Sequence, residues 1–183
     1  MAVALIVWLI VALLLSVLGI LHQVPLPIPM VGGLITIALL ALLTTATSWR
    51  ERVLALGYRP LIAIHLTRFV GFYFLWLYSL GVLPRNFAQP AGWGDIIVAT
   101  LAIPLLIVGG ELTTRWRGLL IAWNLIGLAD ILLVVVLAFR MASADPGFQN
   151  AFASLPLSLL PLYIVPLVIA SHGVMLYELA AGK

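Results

Sequence analysis

Long apolar runs, each of about 20 residues, are the feature that most constrains how this chain can fold. They follow one another with short polar interruptions along 183 residues, of which 64% are hydrophobic and only 8% are charged. An ordinary soluble domain is about 25% charged, so the composition excludes that class. A chain in lipid must satisfy its backbone hydrogen bonds internally, and helices do so within one segment. We therefore expect an all-α integral membrane bundle that forms a single domain over residues 1–183.

The apolar runs predict six transmembrane helices, at roughly 2–22, 28–48, 61–83, 95–112, 118–140 and 157–180. The first run has no positively charged segment before it and exceeds the roughly 7–15 apolar residues of a signal peptide, so we expect a retained helix. Asp95 predicts an N-cap for the fourth helix, because its carboxylate can accept hydrogen bonds from free N–H groups. Prolines inside the fourth and sixth runs predict kinks, since each removes one backbone donor.

A short helix is predicted before the sixth span, over roughly residues 146–154. Asp145 followed by Pro146 is typical of an N-cap and a first helical turn. Phe148, Phe152 and Leu155 then recur at helical spacing. This pattern predicts a helix that lies on the outer membrane surface, with its aromatic face against the bundle.

The distribution of basic residues predicts the orientation of the chain. Six of the nine lysines and arginines fall on one side of the predicted spans: Arg50, Arg52, Arg59, Arg115, Arg117 and Lys183. Because cytoplasmic loops carry the excess of lysine and arginine, we expect both termini in the cytoplasm and Arg85 outside. The basic loops are thereby explained by topology, and the sequence has no motif for binding nucleic acid.

Five polar side chains fall inside the predicted spans, in the half nearer the cytoplasm: His65, Arg68, Asn124, Asp130 and His172. Lipid cannot solvate such groups, so they should face the interior of the bundle. His65 and Arg68 are expected to share one helix face with Phe72 and Ser79. Arg68 keeps its charge at any accessible pH and therefore needs a counter-charge, which predicts a buried pair with Asp130.

These side chains suggest a non-enzymatic role, in which a polar cavity in the inner half of the bundle binds or passes a small solute. Arg68 would bind an anionic group of that solute and Asp130 would modulate the interaction. Because six spans are few for a monomeric carrier, such a protein could be a homodimer or a subunit of a larger complex. The pair could equally serve only to lock two helices together, and an accessory subunit without a ligand is a further alternative. The sequence has no cysteine, no lysine inside a span and no nucleotide-binding or hydrolase motif, so it favours no enzyme class.

The two histidines support an alternative function. His65 and His172 lie on different spans at similar predicted depths, as the axial ligands of a b-type haem would. They could also bind a metal together with Asp130, although the spacing follows no established pattern. Hydrogen bonds to neighbouring helices would explain both histidines without any cofactor.

Three stretches carry a resemblance to a protein family: "GVLPRNFAQPAGWGD" (81–95), "WNLIGLADILLVV" (123–135) and "PLYIVPLVIASH" (161–172). They resemble segments of uncharacterised small multi-spanning proteins of bacterial inner membranes. The resemblance covers roughly residues 61–180 and implies an inner-membrane location. It implies no activity, ligand or site residue.

Overall fold

The computed structural model describes residues 2–108 and 114–181, and these residues form helices without any strand. The helices are α1 (Ala2–Val17), α2 (Ile28–Thr45), α3 (Thr47–Leu54), α4 (Tyr58–Ala63), α5 (Val70–Ser79), α6 (Arg85–Val108), α7 (Thr114–Ala144), α8 (Pro146–Ala153) and α9 (Val165–Ala180). Two 3₁₀ segments, Ile20–Gln23 and Ile64–Phe69, and one π-helical segment, Leu160–Ile164, lie between them. The predicted all-α class is therefore confirmed for the described residues.

Five helical segments are long and apolar enough to cross a membrane: Ile28–Thr45, Tyr58–Ser79, Arg85–Val108, Arg115–Ala144 and Leu160–Ala180. The predicted count of six is not confirmed, because α1 has only 16 residues. At 1.5 Å per residue it is about 24 Å long, less than the roughly 30 Å of a bilayer core. The helix ends at Val17 because Gly19 takes a left-handed conformation (φ 67°) and a 3₁₀ turn follows.

The fourth helix of the prediction begins ten residues earlier than expected. α6 starts at Arg85, directly after Pro84, whose carbonyl accepts hydrogen bonds from the N–H groups of Phe87 and Ala88. The prediction of an N-cap at Asp95 is therefore wrong, since Asp95 is buried in the middle of this helix. Pro90, Gly92 and Gly94 had indicated a turn before residue 95, but they lie inside α6, where glycine permits close packing of helices.

The third predicted span is confirmed as helical, but its middle is a 3₁₀ helix with the sequence "IHLTRF". A 3₁₀ helix has three residues per turn, so side chains three apart lie above one another. The buried side chains of this segment, His65 and Arg68, are accordingly three residues apart. Gly71, Phe74 and Leu77 continue the buried face along the α-helix α5. The prediction for the rest of this face was wrong, because Phe72 and Ser79 are exposed.

α8 confirms the predicted short helix. Its first turn is capped by Asp145, whose side chain accepts a hydrogen bond from the backbone N–H of Gly147 at 2.8 Å. Phe148 and Phe152 stack with ring centroids 4.6 Å apart, and both contact Phe87 of α6 edge-on. The aromatic face therefore packs into the bundle, whereas Leu155 lies beyond the helix and is exposed.

The two ends of the bundle are named here by the short helices that lie at them. α8 packs at one end, the α8 end, against α7 and α2. At the other, the α3 end, residues of α3 line a common apolar space with the first turns of α1 and with α9. The first turns of α1 therefore lie toward the α3 end.

Candidate functional site

Arg68 is the centre of a buried ion cluster and is only 2% exposed. Its Nε donates to Oδ1 of Asp95 at 2.7 Å, and its Nη1 donates to the carbonyl oxygen of Gly127 at 3.0 Å. Its Nη2 donates to Oδ2 of Asp130. The guanidinium thus joins the 3₁₀ segment to α6 and α7 at one point. We refer to Arg68, Asp95 and Asp130 as the ion cluster.

The contact between Arg68 and Asp130 was predicted, but the second carboxylate was not. Asp95 is more deeply buried than Asp130, with its side chain 4% exposed against 15%. The sequence signal for its burial was its position eleven residues after Pro84, because a helix that starts at Arg85 carries Asp95 well into the bundle. With one cation and two carboxylates, the ion cluster carries a formal charge of −1.

Two glycines make room for the polar side chains. A Cβ atom at Gly94 of α6 would overlap the carboxylate of Asp130. A Cβ atom at Gly127 of α7 would lie 2.7 Å from Cε1 of His172. Side chains at these positions would push α6 and α9 away from α7, so the absence of a Cβ is a structural requirement here.

His65, Asn124 and His172 form a second polar group beside the ion cluster, and each of them is fully buried. His65 Nε2 lies 2.9 Å from Oγ of Ser171, and His172 Nδ1 lies 2.8 Å from Oδ1 of Asn124. The two imidazole rings are in contact, with centroids 4.3 Å apart. We refer to His65 and His172 as the histidine pair.

Trp123 closes one side of the histidine pair. Its indole lies edge-on to His65, with ring centroids 4.8 Å apart, and its Nε1 donates to the carbonyl oxygen of Val98. Neither the position of Trp123 nor the contact between Ser171 and His65 was predicted from the sequence.

The spacing of the histidine pair bears on the haem hypothesis. A metal–imidazole bond is about 2 Å long, so rings on opposite sides of one metal have centroids about 6 Å apart. The observed 4.3 Å leaves no space for a porphyrin between them, so haem would require the helices to separate. The described residues also contain no group of three or more histidine, aspartate or glutamate side chains able to hold a metal. Bis-histidine haem ligation stays a prediction.

A cavity of about 320 Å³ lies on the α8 side of the ion cluster. Its walls come from α2, the 3₁₀ segment Ile64–Phe69, α5, α6, α7, α8, the π-helical segment and α9, and they are almost entirely apolar. Arg68 and Asp95 are the charged residues in the lining. The sequence predicted a polar cavity in the half of the bundle nearer the cytoplasm, whereas this cavity is apolar, has charged groups at one side and lies toward the α8 end.

A second cavity, of about 340 Å³, lies toward the α3 end. Residues of α1, α2, α3, α4 and α9 line it, together with Ile64 of the 3₁₀ segment. Its lining includes Trp8 and Trp49 but no charged side chain. It therefore offers apolar contact without a group that would orient a ligand.

Comparison with known proteins gives one family match. A family model described as a domain of unknown function (DUF8737) matches residues 25–180. No curated protein and no solved structure matches the chain.

Proposed function

Since the chain belongs to the DUF8737 family, a domain of unknown function from which no activity can be transferred, we propose a function from the geometry alone. We propose that this is a membrane protein that binds a small, mainly apolar molecule in the cavity beside Arg68 and Asp95. The molecule would carry one polar group able to donate a hydrogen bond, such as a hydroxyl or an amine.

The single observation that carries the proposal is the composition of the 320 Å³ cavity. Ligand sites are typically concave, have volumes of about 300–1,000 Å³ and combine apolar walls with a few polar groups that fix orientation. Here the walls bind the apolar part, and the edge of the ion cluster is the orienting group. The second cavity has the volume but lacks that group.

The charges of the ion cluster favour a ligand group that donates a hydrogen bond over a ligand group that carries a negative charge. Arg68 already donates to two carboxylates and a backbone carbonyl, and the ion cluster has a formal charge of −1. An added anion would meet repulsion from both carboxylates in a medium of low dielectric constant. The hydrogen bond from Arg68 to Asp95 engages Oδ1, and a carboxylate has a second oxygen that can accept. We therefore assign Asp95 as the acceptor for the ligand and Arg68 as the group that positions it, which reverses the anion-binding role expected from the sequence.

The same geometry supports binding of a molecule in the cavity more directly than passage of a solute through the bundle. The ion cluster and the histidine pair fill the space between the cavity and the α3 end, where Trp123 and Leu120 are also buried. Passage of a solute would require these contacts to open. An accessory subunit that binds a membrane lipid in this cavity would fit the proposal equally.

Thermal unfolding of the purified protein in detergent tests the proposal, with decanol, decylamine and decanoate as probes of matched chain length. We expect the alcohol and the amine to raise the unfolding temperature and the carboxylate to have no effect, because binding to the folded state stabilises it. Equal effects of all three probes, or of none, would contradict the assignment of Asp95.

A pair of glycine variants separates cavity binding from general detergent effects. Gly33 lines the cavity, and a Cβ atom there has no neighbour within 4 Å, so Gly33→Leu should fill the cavity without disturbing the backbone. Gly118 of α7 is also open to a Cβ but lies outside the cavity, so Gly118→Leu is the matched control. Stabilisation by decanol should be lost in the first variant and kept in the second.

A further inference from the structure

The second cavity lies between the first half of α1 and the rest of the bundle. The buried residues of α1 are Ala12 and Ser16, both in its second half. Ala4, Leu5 and Trp8 of the first half line the cavity, and its other walls come mainly from α2, α3, α4 and α9. The molecule that occupies this space therefore provides the packing for the first half of α1.

The second cavity opens onto the apolar surface of the bundle. Leu42 of α2 and Leu56, which follows α3, line it and are 40% and 39% exposed. Trp8 is fixed in the wall by an edge-on contact with Tyr163, with ring centroids 5.0 Å apart. An unfilled apolar space forfeits dispersion contacts, so an acyl chain from the surrounding lipid is the occupant that suits these walls.

Two arginines lie at the rim of the second cavity. Nη1 of Arg50 donates to the carbonyl oxygen of Thr44 at 3.3 Å, and Thr44 directly follows Leu43, which lines the cavity. Arg52 is exposed and follows Trp49, another lining residue, by three residues, so both lie on one side of α3. The apolar cavity therefore has positive charge beside its opening at the α3 end.

We propose that the α3 end binds one anionic phospholipid, with one acyl chain in the second cavity and the phosphate held by Arg50 and Arg52. A guanidinium has five N–H donors, and the bond to Thr44 engages Nη1 of Arg50. Arginine binds phosphate through two parallel hydrogen bonds, which makes it selective for that group. The proposal is independent of the function proposed for the cavity beside Arg68, because the two sites share no residue.

The charge of the α3 end favours a lipid with a net negative charge. Residues 44–60 contain three arginines and one glutamate, Glu51, which gives a formal charge of +2. Basic side chains at a membrane surface attract anionic lipids. A zwitterionic lipid has the same phosphate but carries its own cation, which the arginines repel. Trp49 lines the cavity next to Arg50 in the chain, and tryptophan favours this boundary between headgroups and acyl chains.

Competition between two lipids tests the site. The purified protein in detergent is equilibrated with equal amounts of dioleoyl phosphatidylglycerol and dioleoyl phosphatidylcholine, and native mass spectrometry counts the lipid that each chain retains. We expect one retained lipid per chain, with phosphatidylglycerol preferred by about tenfold. Arg50→Gln/Arg52→Gln should abolish that preference. Arg85→Gln/Arg140→Gln removes the same charge from exposed positions at the α8 end and should keep it. Equal retention of both lipids, or the same preference in both double variants, would overturn the proposal.

A substitution on α1 tests whether the acyl chain occupies the cavity. Ala4 lines the cavity and is exposed, so Ala4→Phe should fill part of the space without a change of fold. We expect this variant to retain several-fold less phosphatidylglycerol. Ala38→Phe on α2 is the matched control, because Ala38 is exposed but lies outside the cavity, and its retention should be unchanged. Full retention in Ala4→Phe would show that a headgroup binds without the cavity and would refute the site, as would an equal loss in the two variants.

Discussion

Asp95 and Asp130 lie on different helices and accept hydrogen bonds from the same guanidinium, that of Arg68. Either carboxylate can therefore balance the charge of Arg68 when the other is removed. This relationship changes what substitutions in the ion cluster should do, compared with a simple buried pair.

Asp130→Asn should be better tolerated than Arg68→Leu. The asparagine variant keeps Arg68 paired with Asp95, so no net charge is left buried, whereas the leucine variant leaves two carboxylates without a cation. Removing one partner of a buried pair costs about 3–5 kcal/mol in soluble proteins, and we expect a loss of that order only for Arg68→Leu. Unfolding temperatures in detergent would measure the difference, and equal losses in both variants would contradict it.

Combining substitutions tests the same relationship. The double variant Arg68→Leu/Asp130→Asn still contains Asp95 as an unpaired carboxylate, so it should recover little of the loss. The triple variant that adds Asp95→Asn removes the last charge and should recover more. Full recovery in the double variant would show that Asp95 does not share the charge of Arg68.

Gly94→Ala should destabilise the protein, because the added methyl group would overlap the carboxylate of Asp130. Overpacking of this kind costs about 1–3 kcal/mol. Gly118→Ala is the control, since a Cβ atom there meets no neighbour and alanine favours a helix by about 1 kcal/mol over glycine. The two variants should shift the unfolding temperature in opposite directions.

Phe152→Ala should release α8 from the bundle. The ring is 4% exposed and contacts both Phe148 and Phe87, and loss of such a side chain costs about 3–5 kcal/mol. Hydrogen exchange should rise over residues 146–153 more than elsewhere. Phe72→Ala is the control, because that ring is 56% exposed and its loss should leave exchange at α8 unchanged.

Introduced cysteines test the orientation on a background that has no cysteine. Arg85→Cys should react with an impermeant thiol reagent from the periplasmic side, and Ala181→Cys and Glu51→Cys should not. Val3→Cys addresses α1, which is too short to count among the five long helices. If α1 crosses the membrane with its first turn at the α3 end, Val3→Cys should behave like Ala181→Cys; labelling of Ala181→Cys from outside would reverse the predicted topology.

An absorption spectrum of the purified protein tests the haem hypothesis. With the rings of His65 and His172 in contact, we expect no Soret band. A Soret band that disappears in His172→Ala would show instead that the two histidines separate to bind haem.

The sequence was sufficient to predict the helical class, the short helix α8 and the contact between Arg68 and Asp130. Charges are so rare inside the apolar runs that a buried arginine had few candidate partners. The assignment of Asp95 failed because proline and glycine signal turns in water-soluble chains but permit close helix packing here. The exposure of Phe72 could not be predicted, since nothing in "IHLTRF" distinguishes three residues per turn from 3.6.

That tighter segment, Ile64–Phe69, allows one stretch of chain to serve two chemically different neighbours. Three residues complete about 360° in a 3₁₀ helix but only about 300° in an α-helix. With α-helical winding, His65 and Arg68 would diverge by about 60°, and if His65 stayed against His172, the guanidinium would turn away from its carboxylates. The winding of this segment therefore links the ion cluster to the histidine pair. If the segment relaxes toward an α-helix, it can keep the contacts of Arg68 or those of His65, but not both.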